Sequence, residues 1–524
     1  MTSTFHGIET AKRALLTQRV ALQTVGHNIS NAATEGYSRQ RVNLVAASPI
    51  EAPAFRNSTM PGQIGTGVEY DSITRIRDTF LDLQFRRENQ TLAMWEVMDK
   101  TFTSIEGLLN EPSDNGLRAV MDKFWNSLEV LNRDPSLLSA RIDLIGAAVN
   151  LTDTLNSIDK GLTDLTSDLE SNISSTIVQV NTLTQKIADL NALIKRIEGP
   201  NQNANDLRDQ RDLLVDQLSQ LVDVNVTHMP DGSYTITAAG VTVVEGNNAV
   251  QVDEGIAEQA TGGKLAGYVR SITEVENVRT QLNAMINTLV NGDMKVKLAN
   301  GYMTSQPMVA ENDVTLSDGT VIPAGQTIPA NSTIVTPVEF IVKGFNGLHR
   351  LGYTIPDAQT DIPFFVTEDG STDFTIGNIR LNPDVKNDTN KIAASGKYEM
   401  VNGNRVVIRG NGDISFALTN VRDYVFTFPA NMTSLSSGTI DDYFRAFVGQ
   451  LGTLSNNASQ HLLNSQDLTY SADLMRQQVS GVTLDEELAD MIRFQHAYNA
   501  AARNMTTVDE MLDRIINQMG IVGR

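Results

Sequence analysis

The chain has 524 residues, too many for one core when single domains usually hold roughly 100–200, so roughly two to four domains are expected. Its 41 basic against 62 acidic residues give a net charge of -21, which argues against nucleic acid, because affinity for a phosphate backbone is built from Lys and Arg contacts. With no cysteine, disulfides, thiolate zinc sites and cysteine nucleophiles are excluded, and packing alone must hold the fold.

Met1 to Thr10 shows no basic stretch followed by an apolar core, and no run of about 18 apolar residues occurs, so neither a cleaved secretion signal nor a membrane span is expected. The chain is then either cytosolic or leaves the cell by a route that reads no cleaved signal.

The first predicted helix runs from about Gly7 to Ala33 and spaces Ile8, Leu15, Leu22 and Ile29 seven residues apart. Ala11, Val25 and Ala32 fill the second seam, which Gln18 interrupts. The opposite face carries Glu9, Lys12, Arg13, Arg19 and Gln23, so this helix is wet on one side and needs a partner on the other. Pro61-Gly62 and Gly65-Thr66-Gly67 read as a turn between strands; the third glycine of a dinucleotide pattern would fall on Tyr70, and a Walker lysine is missing.

A long stripe follows, with Leu155, Leu162, Leu169, Thr176, Leu183, Leu190 and Ile197 seven apart until Gly199-Pro200 ends it. At about 1.5 Å per residue the rod would be roughly 60–80 Å long, and its stripe reads as ordinary bundle core. Another helix is predicted over Asp206–Val222. Val224–Val244 then alternates around Pro230-Asp231-Gly232, the pattern of a β-hairpin. A helix fits Ile272–Val290, after which Asn300–Ser437 breaks into short Val/Ile/Phe/Thr runs between Asp-Gly, Pro-Ala-Gly and Asn-Gly turns, a β-rich domain set into a helical body.

Helical pattern resumes over Ile440–Val479. The last helix is bounded by Leu484 and Met519, with Asp485, Glu486 and Glu487 at its positive dipole end and Gly520 as a stop. Met491, Tyr498, Met505, Leu512 and Met519 form one seam, and Phe494, Ala501, Val508 and Ile515 the other. Stripes at the two extremes of a chain fray unless tied down, so these two should pair with each other, with other copies, or both.

Chemistry is sparse. His6, His27, His228, His349, His461 and His496 include no i, i+4 pair for a metal. Gly410-Asn411-Gly412-Asp413 and Asp441-Asp442 lack the alternating ligands of a calcium loop, and no serine sits in a Gly-x-Ser-x-Gly elbow. No catalytic, metal or cofactor residue is nominated, and a non-enzymatic structural protein is expected.

The stretch from His27 to Gln40, with Asn28, Asn31, Thr34, Gly36, Tyr37, Ser38 and Arg39, resembles the signature of flagellar rod, hook and hook-associated proteins. Physically, Asn28 and Asn31 can satisfy orphan groups at a helix end, Gly36 permits a positive φ, and Tyr37 can pin the extended chain. Ser480–Leu488 and Arg493–Arg503, the ending Asp509–Asp513 to Gly520–Arg524, and internally Asn205–Asp212 and Gly262–Gly267, are similar to the hook-associated members of that family.

The resemblance implies an α+β multidomain fold: a long α-helical coiled-coil or bundle body formed by N- and C-terminal segments, with a small β-hairpin and an inserted β-rich domain. Its domains would be residues 1–45 with 484–524, a terminal coiled-coil domain innermost in a tube; 46–299 with 437–483, a helical rod domain carrying the hairpin; and 300–436, the inserted outer domain. The assembly interface would be Ile8, Leu15, Leu22, Ile29, Met491, Phe494, Tyr498, Met505, Leu512 and Ile515, with the family turn at Asn28, Asn31, Gly36, Tyr37 and Arg39.

It further implies a structural subunit joining hook to filament, cytoplasmic before type III export and extracellular after it. Partners would be the hook protein, hook-associated protein 3, copies of itself in a helical tube, an export chaperone on the C-terminal helix and the export apparatus. Alternatives are another axial protein, whether hook, rod or cap, or an insertion that carries an adhesin or enzymatic activity.

Overall fold

Apolar spacing and turn chemistry produce twelve α-helices among the described residues of the computed structural model, which are 5–49, 64–111, 113, 116–200, 202–429 and 435–518. In chain order they are α1 (His6–Ser30), α2 (Thr79–Leu109), α3 (Leu117–Arg133), α4 (Leu138–Glu198), α5 (Asn205–Leu221), α6 (Gly255–Gln259), α7 (Gly263–Asn291), α8 (Gly344–Leu351), α9 (Pro383–Asn387), α10 (Asp413–Thr419), α11 (Ile440–Ser480) and α12 (Leu484–Asp513). The chain divides into one unit of Met1–Glu96, Asn172–Gly267 and His461–Arg524, and a second of Val97–Ser171 and Tyr268–Gln460, with α2, α4, α7 and α11 contributing residues to both.

In the first unit, β1 (Gln40–Ala46) and β2 (Val68–Arg75) form an antiparallel ribbon with a bulge at Asn43/Leu44. Where a single β-hairpin was expected there is a four-stranded antiparallel meander, β3 (Val224–His228), β4 (Tyr234–Ala238), β5 (Val241–Glu245) and β6 (Asn248–Ala249). The extra hairpin closes through Ala239 (φ 48°) and Gly240 (φ 78°), the two positive-φ residues that a two-residue turn matching strand twist requires. Tyr234, Ile236 and Ala238 are buried on one face of β4.

The rod helix α4 has 61 residues, so at about 1.5 Å each it is about 90 Å long, more than expected because it begins at Leu138. Its seven-residue stripe does not keep one side inward. Leu155, Leu162, Leu169 and Thr176 are buried, but Leu183, Leu190 and Ile197 are only half-buried, and Thr184, Ile187, Asn191 and Ile194 take the inner positions. Seven residues fall about 20° short of two turns, so after four repeats the stripe has drifted by about 80° and the next residue along faces inward.

In the second unit, α3 buries Leu117, Val120, Met121, Phe124, Trp125, Leu128 and Leu131 along one stripe. Phe124 meets Phe345, Phe364 and Phe365 with ring centroids 5.5, 6.4 and 6.0 Å away. Asn346 holds this aromatic core by copying a strand edge. Its Oδ1 accepts from the backbone N–H groups of Phe364 and Phe365, and its Nδ2 donates to the Phe365 carbonyl at 2.8 Å.

His349 is fully buried beside it. Its Nδ1 donates to the Ile362 carbonyl at 2.7 Å, its Nε2 accepts from the Ala393 N–H at 3.0 Å, and burial lowers its pKa to about 4. Among its described residues, the segment expected to be β-rich carries two-stranded sheets only and includes α8, α9 and α10. The longest pair in this unit joins Val338–Lys343 of that segment to β7 (Asp293–Leu298), which precedes it, burying Met294, Val296, Phe340 and Val342.

Candidate assembly site at the paired chain ends

The two terminal helices pack on each other. A Cβ on Gly7 would lie 3.0 Å from Val508, and Asn28 Nδ2 donates to Glu487 Oε2 at 3.0 Å. Moving forward from Gly7 to Asn28 is the same step as moving back from Val508 to Glu487, so the helices are antiparallel and level over their length. To within one residue, that alignment puts the two seams level, Ile8 with Val508, Ala11 with Met505, Leu15 with Ala501, Gln18 with Tyr498, Leu22 with Phe494, Val25 with Met491 and Ile29 with Glu487.

Burial in this pair is thin. Ala11, Ala21 and Val25 are enclosed on α1, and only Glu487 and Leu512 on α12. Ile8, Leu15, Leu22, Ile29, Met491, Phe494 and Met505 are half-buried. Tyr498 and Ile515 are more exposed, at 37% and 45%, the latter in a π-helical turn over Arg514–Gln518. Leu484, Leu488, Ile492, Met511 and Ile516 are exposed. Met519, Gly520 and the ending to Arg524 lie outside the described residues, as do Pro61 and Gly62.

At the end of α1 the family turn becomes a hydrogen-bonded knot. Asn28 uses its whole amide: Nδ2 donates to the Gln40 carbonyl at 2.9 Å as well as to Glu487, and Oδ1 accepts from the Gln40 N–H and from the Tyr37 hydroxyl at 2.8 Å. Asn31 donates to the His27 carbonyl at 3.0 Å, taking up a group the helix end leaves open. Gly36 sits at φ +77°, where a Cβ would come within 3.1 Å of Leu213. Tyr37 packs edge-on to His27, and burial, followed by the charges of Asp206, Asp209 and Glu487, raises its pKa.

Arg39 reaches across to α12. Its Nε donates to Glu487 Oε1 at 2.6 Å, its Nη1 to Glu486 Oε2 at 2.7 Å, and its backbone N–H to the Ser480 carbonyl at 2.8 Å. Burial alone would lower the Arg39 pKa, and the bonds and charges of Glu487 and Glu486 outweigh it, so the net shift is upward.

Behind the knot, α5 presents Asp209, Asp212 and Asp216 on a buried face. Arg75 bridges Asp209 and Asp212 at 2.8 and 2.7 Å, Arg77 forks onto Asp82, and Arg86 and Arg476 both hold Asp216, at 2.7 and 2.5 Å. Burial would raise the Asp212 pKa, but Arg77, Arg75, Arg86 and Arg211 drive it below the usual carboxylate range. Arg211 stacks 3.4 Å from the Tyr234 ring and donates to Asn191 and Gly232, tying the meander to α4 and α5.

The sequence placed Ser38 and Gln40 in the family motif and Glu487 at the helix start, but did not disclose their partners or the role of the α5 acids. Ser38 N–H donates to Asp209, and Gln40 Nε2 donates to Asp206 at 2.6 Å. Glu487 carried a readable signal: it falls four residues before Met491, on the seam itself, where a charge is out of place unless paired. Among the described residues, no group of three His, Asp or Glu side chains is placed to hold a metal.

Chain ends folded as one antiparallel pair, knotted to a charge-stitched body with an apolar face left open, define a structural subunit built for assembly. The family described as flagellar hook-associated protein FlgK helical domain matches residues 102–255, and that of the flagellar basal body rod FlgEFG protein C-terminal region matches 476–519. Flagellar hook-associated protein 1 of Bacillus subtilis (strain 168) is 33% identical over the whole of both chains. The proteins of that name from Salmonella typhimurium and Escherichia coli (strain K12) are each 25% identical over 97% of this chain and 99% of theirs.

A solved structure, the flagellar hook junction protein FlgK from Burkholderia pseudomallei, overlaps with a TM-score of 0.48 at 15% identity, covering 75% of this chain and 100% of that one. The chain belongs to the flagellar hook-associated protein 1 family.

Proposed function

We infer that this chain is the structural subunit at the junction between flagellar hook and filament, and that it assembles through its paired terminal helices. The observation that carries the reading is 33% identity, over the full length of both chains, with a hook-associated protein 1, together with chain ends that fold on each other and leave apolar side chains of α12 exposed. Its neighbours would be the hook protein, hook-associated protein 3 and further copies of itself, with a chaperone covering α12 in the cytoplasm until the type III export apparatus takes the chain out.

Within this reading the half-buried seam, from Ile8 to Ile29 and from Met491 to Leu512, holds the pair together, while exposed Leu488, Ile492 and Ile516 meet neighbouring subunits. No cofactor and no catalytic step enter. Cells lacking the protein should keep intact hooks and shed filaments into the medium; electron microscopy of attached filaments in such cells would overturn the reading.

A further inference from the structure

We propose that Glu487 sets the register of the terminal helix pair, holding α12 against a slip of one heptad along α1. The proposal deepens the assembly reading above, since register decides which residues of α12 face a neighbour, and it rests on that reading only for this consequence.

The apolar seam cannot choose its own register. If α12 slid by seven residues, about 10 Å, Ile8 would face Ile515, Ala11 Leu512, Leu15 Val508, Gln18 Met505, Leu22 Ala501, Val25 Tyr498 and Ile29 Phe494. Every α1 seam residue would again meet an apolar one, and Met505, flexible and unbranched, adapts to either neighbour. Such degeneracy in heptad pairs is broken by a buried polar group at a seam position.

Glu487 is that group. It occupies the seam four residues before Met491, is 1% exposed, and has both oxygens engaged, Oε1 by Arg39 and Oε2 by Asn28. Chain connectivity leaves one slip open. α11 ends at Ser480 and α12 begins at Leu484, and the three residues between cannot supply the extra reach needed to move α12 away from α11. The opposite slip needs only the unwinding of residues 484–490, a stretch in which Leu484 and Leu488 are exposed and Glu487 is the one buried side chain. The buried contacts of Glu487, with the more exposed bonds from Arg39 to Glu486 and Asp490, are therefore what that slip must break.

The absence of cysteine gives a clean background for the test. In the full-length chain, Gly7→Cys with Val508→Cys reports the register described here, since the Cβ-to-Cβ distance would be 3.7 Å, suited to a disulfide. Gly7→Cys with Ile515→Cys reports the slipped one. With Glu487 present, the 7/508 bridge should form under mild oxidation and the 7/515 bridge should stay about a hundredfold below it, the ratio expected for stranding one partner of a buried charge pair.

In Glu487→Leu, which makes the seam more apolar and releases Arg39 and Asn28, the 7/515 bridge should rise to a yield comparable with 7/508. Arg39→Leu should do the same, covering the case in which the first variant fails to fold. A 7/515 yield unchanged in both variants, or already high with Glu487 in place, would overturn the proposal. Filament attachment is scored separately, so a failed junction reading leaves the cross-linking result standing, and the reverse.

Discussion

Helices α3 and α12 show two ways of using an amphipathic stripe. The 17 residues of α3 bury Leu117, Val120, Met121, Phe124, Trp125, Ser127, Leu128 and Leu131, while the 30 residues of α12 bury only Glu487 and Leu512. Burial of a large apolar side chain is worth roughly 1.5–3 kcal/mol, so α3 holds its unit together and α12 is held lightly. A stripe can thus be core in one place and an unfilled socket in another, and spacing alone does not tell which.

The largest effects should come where burial is complete. Asp212→Ala removes the buried carboxylate that Arg75, Arg77 and Arg86 share and should cost about 3–5 kcal/mol, seen as a lower denaturant midpoint for the first unit. Phe124→Ala should cost a similar 3–5 kcal/mol in the second unit, because the aromatic core around Phe345, Phe364 and Phe365 cannot collapse onto the space. Equal sensitivity of α12 to an Ile492→Ala change would erase the contrast.

Acid should act next. A folded-state pKa of about 4 for His349, against 6.5 in the unfolded chain, means the unfolded state binds the extra proton first. This contribution is present in full above about pH 6.5 and is lost as pH falls toward 4, about 3 kcal/mol in all. Urea midpoints of His349→Gln, compared with the parent between pH 7 and 4.5, should lack that part of the slope. The smallest effect on stability is expected at Ile492→Asp on the open face of α12, within about 0.5 kcal/mol. If α12 docks on a neighbour as proposed above, the same change should prevent filament attachment by putting a charge in that contact.

The terminal stripes were legible because Leu and Met recur on a strict seven-residue spacing over whole helices. α2 was not, because its inward face near the start is ionic: Asp82, Arg86 and Asn89 are buried, and a search for apolar periodicity passes over them. α3 has a plain apolar stripe and was overlooked for want of a heptad. α8, α9 and α10 are 8, 5 and 7 residues long, too short for helical periodicity to stand out among turn residues. The knot around Asn28 was visible as a motif, but its partners are Gln40, Glu487 and Asp209, and contacts between segments so far apart leave no periodic trace in either one.

The Arg and Asp side chains that stitch α5 to β2, α2 and α11 have a second consequence once the chain is pulled straight. A core glued by oil exposes oil when it opens; this one exposes salts that water solvates readily. Threaded out as a bare polypeptide, that stretch would have little reason to clump with its fellows, and the same residues would draw each other back into place wherever the chain came to rest.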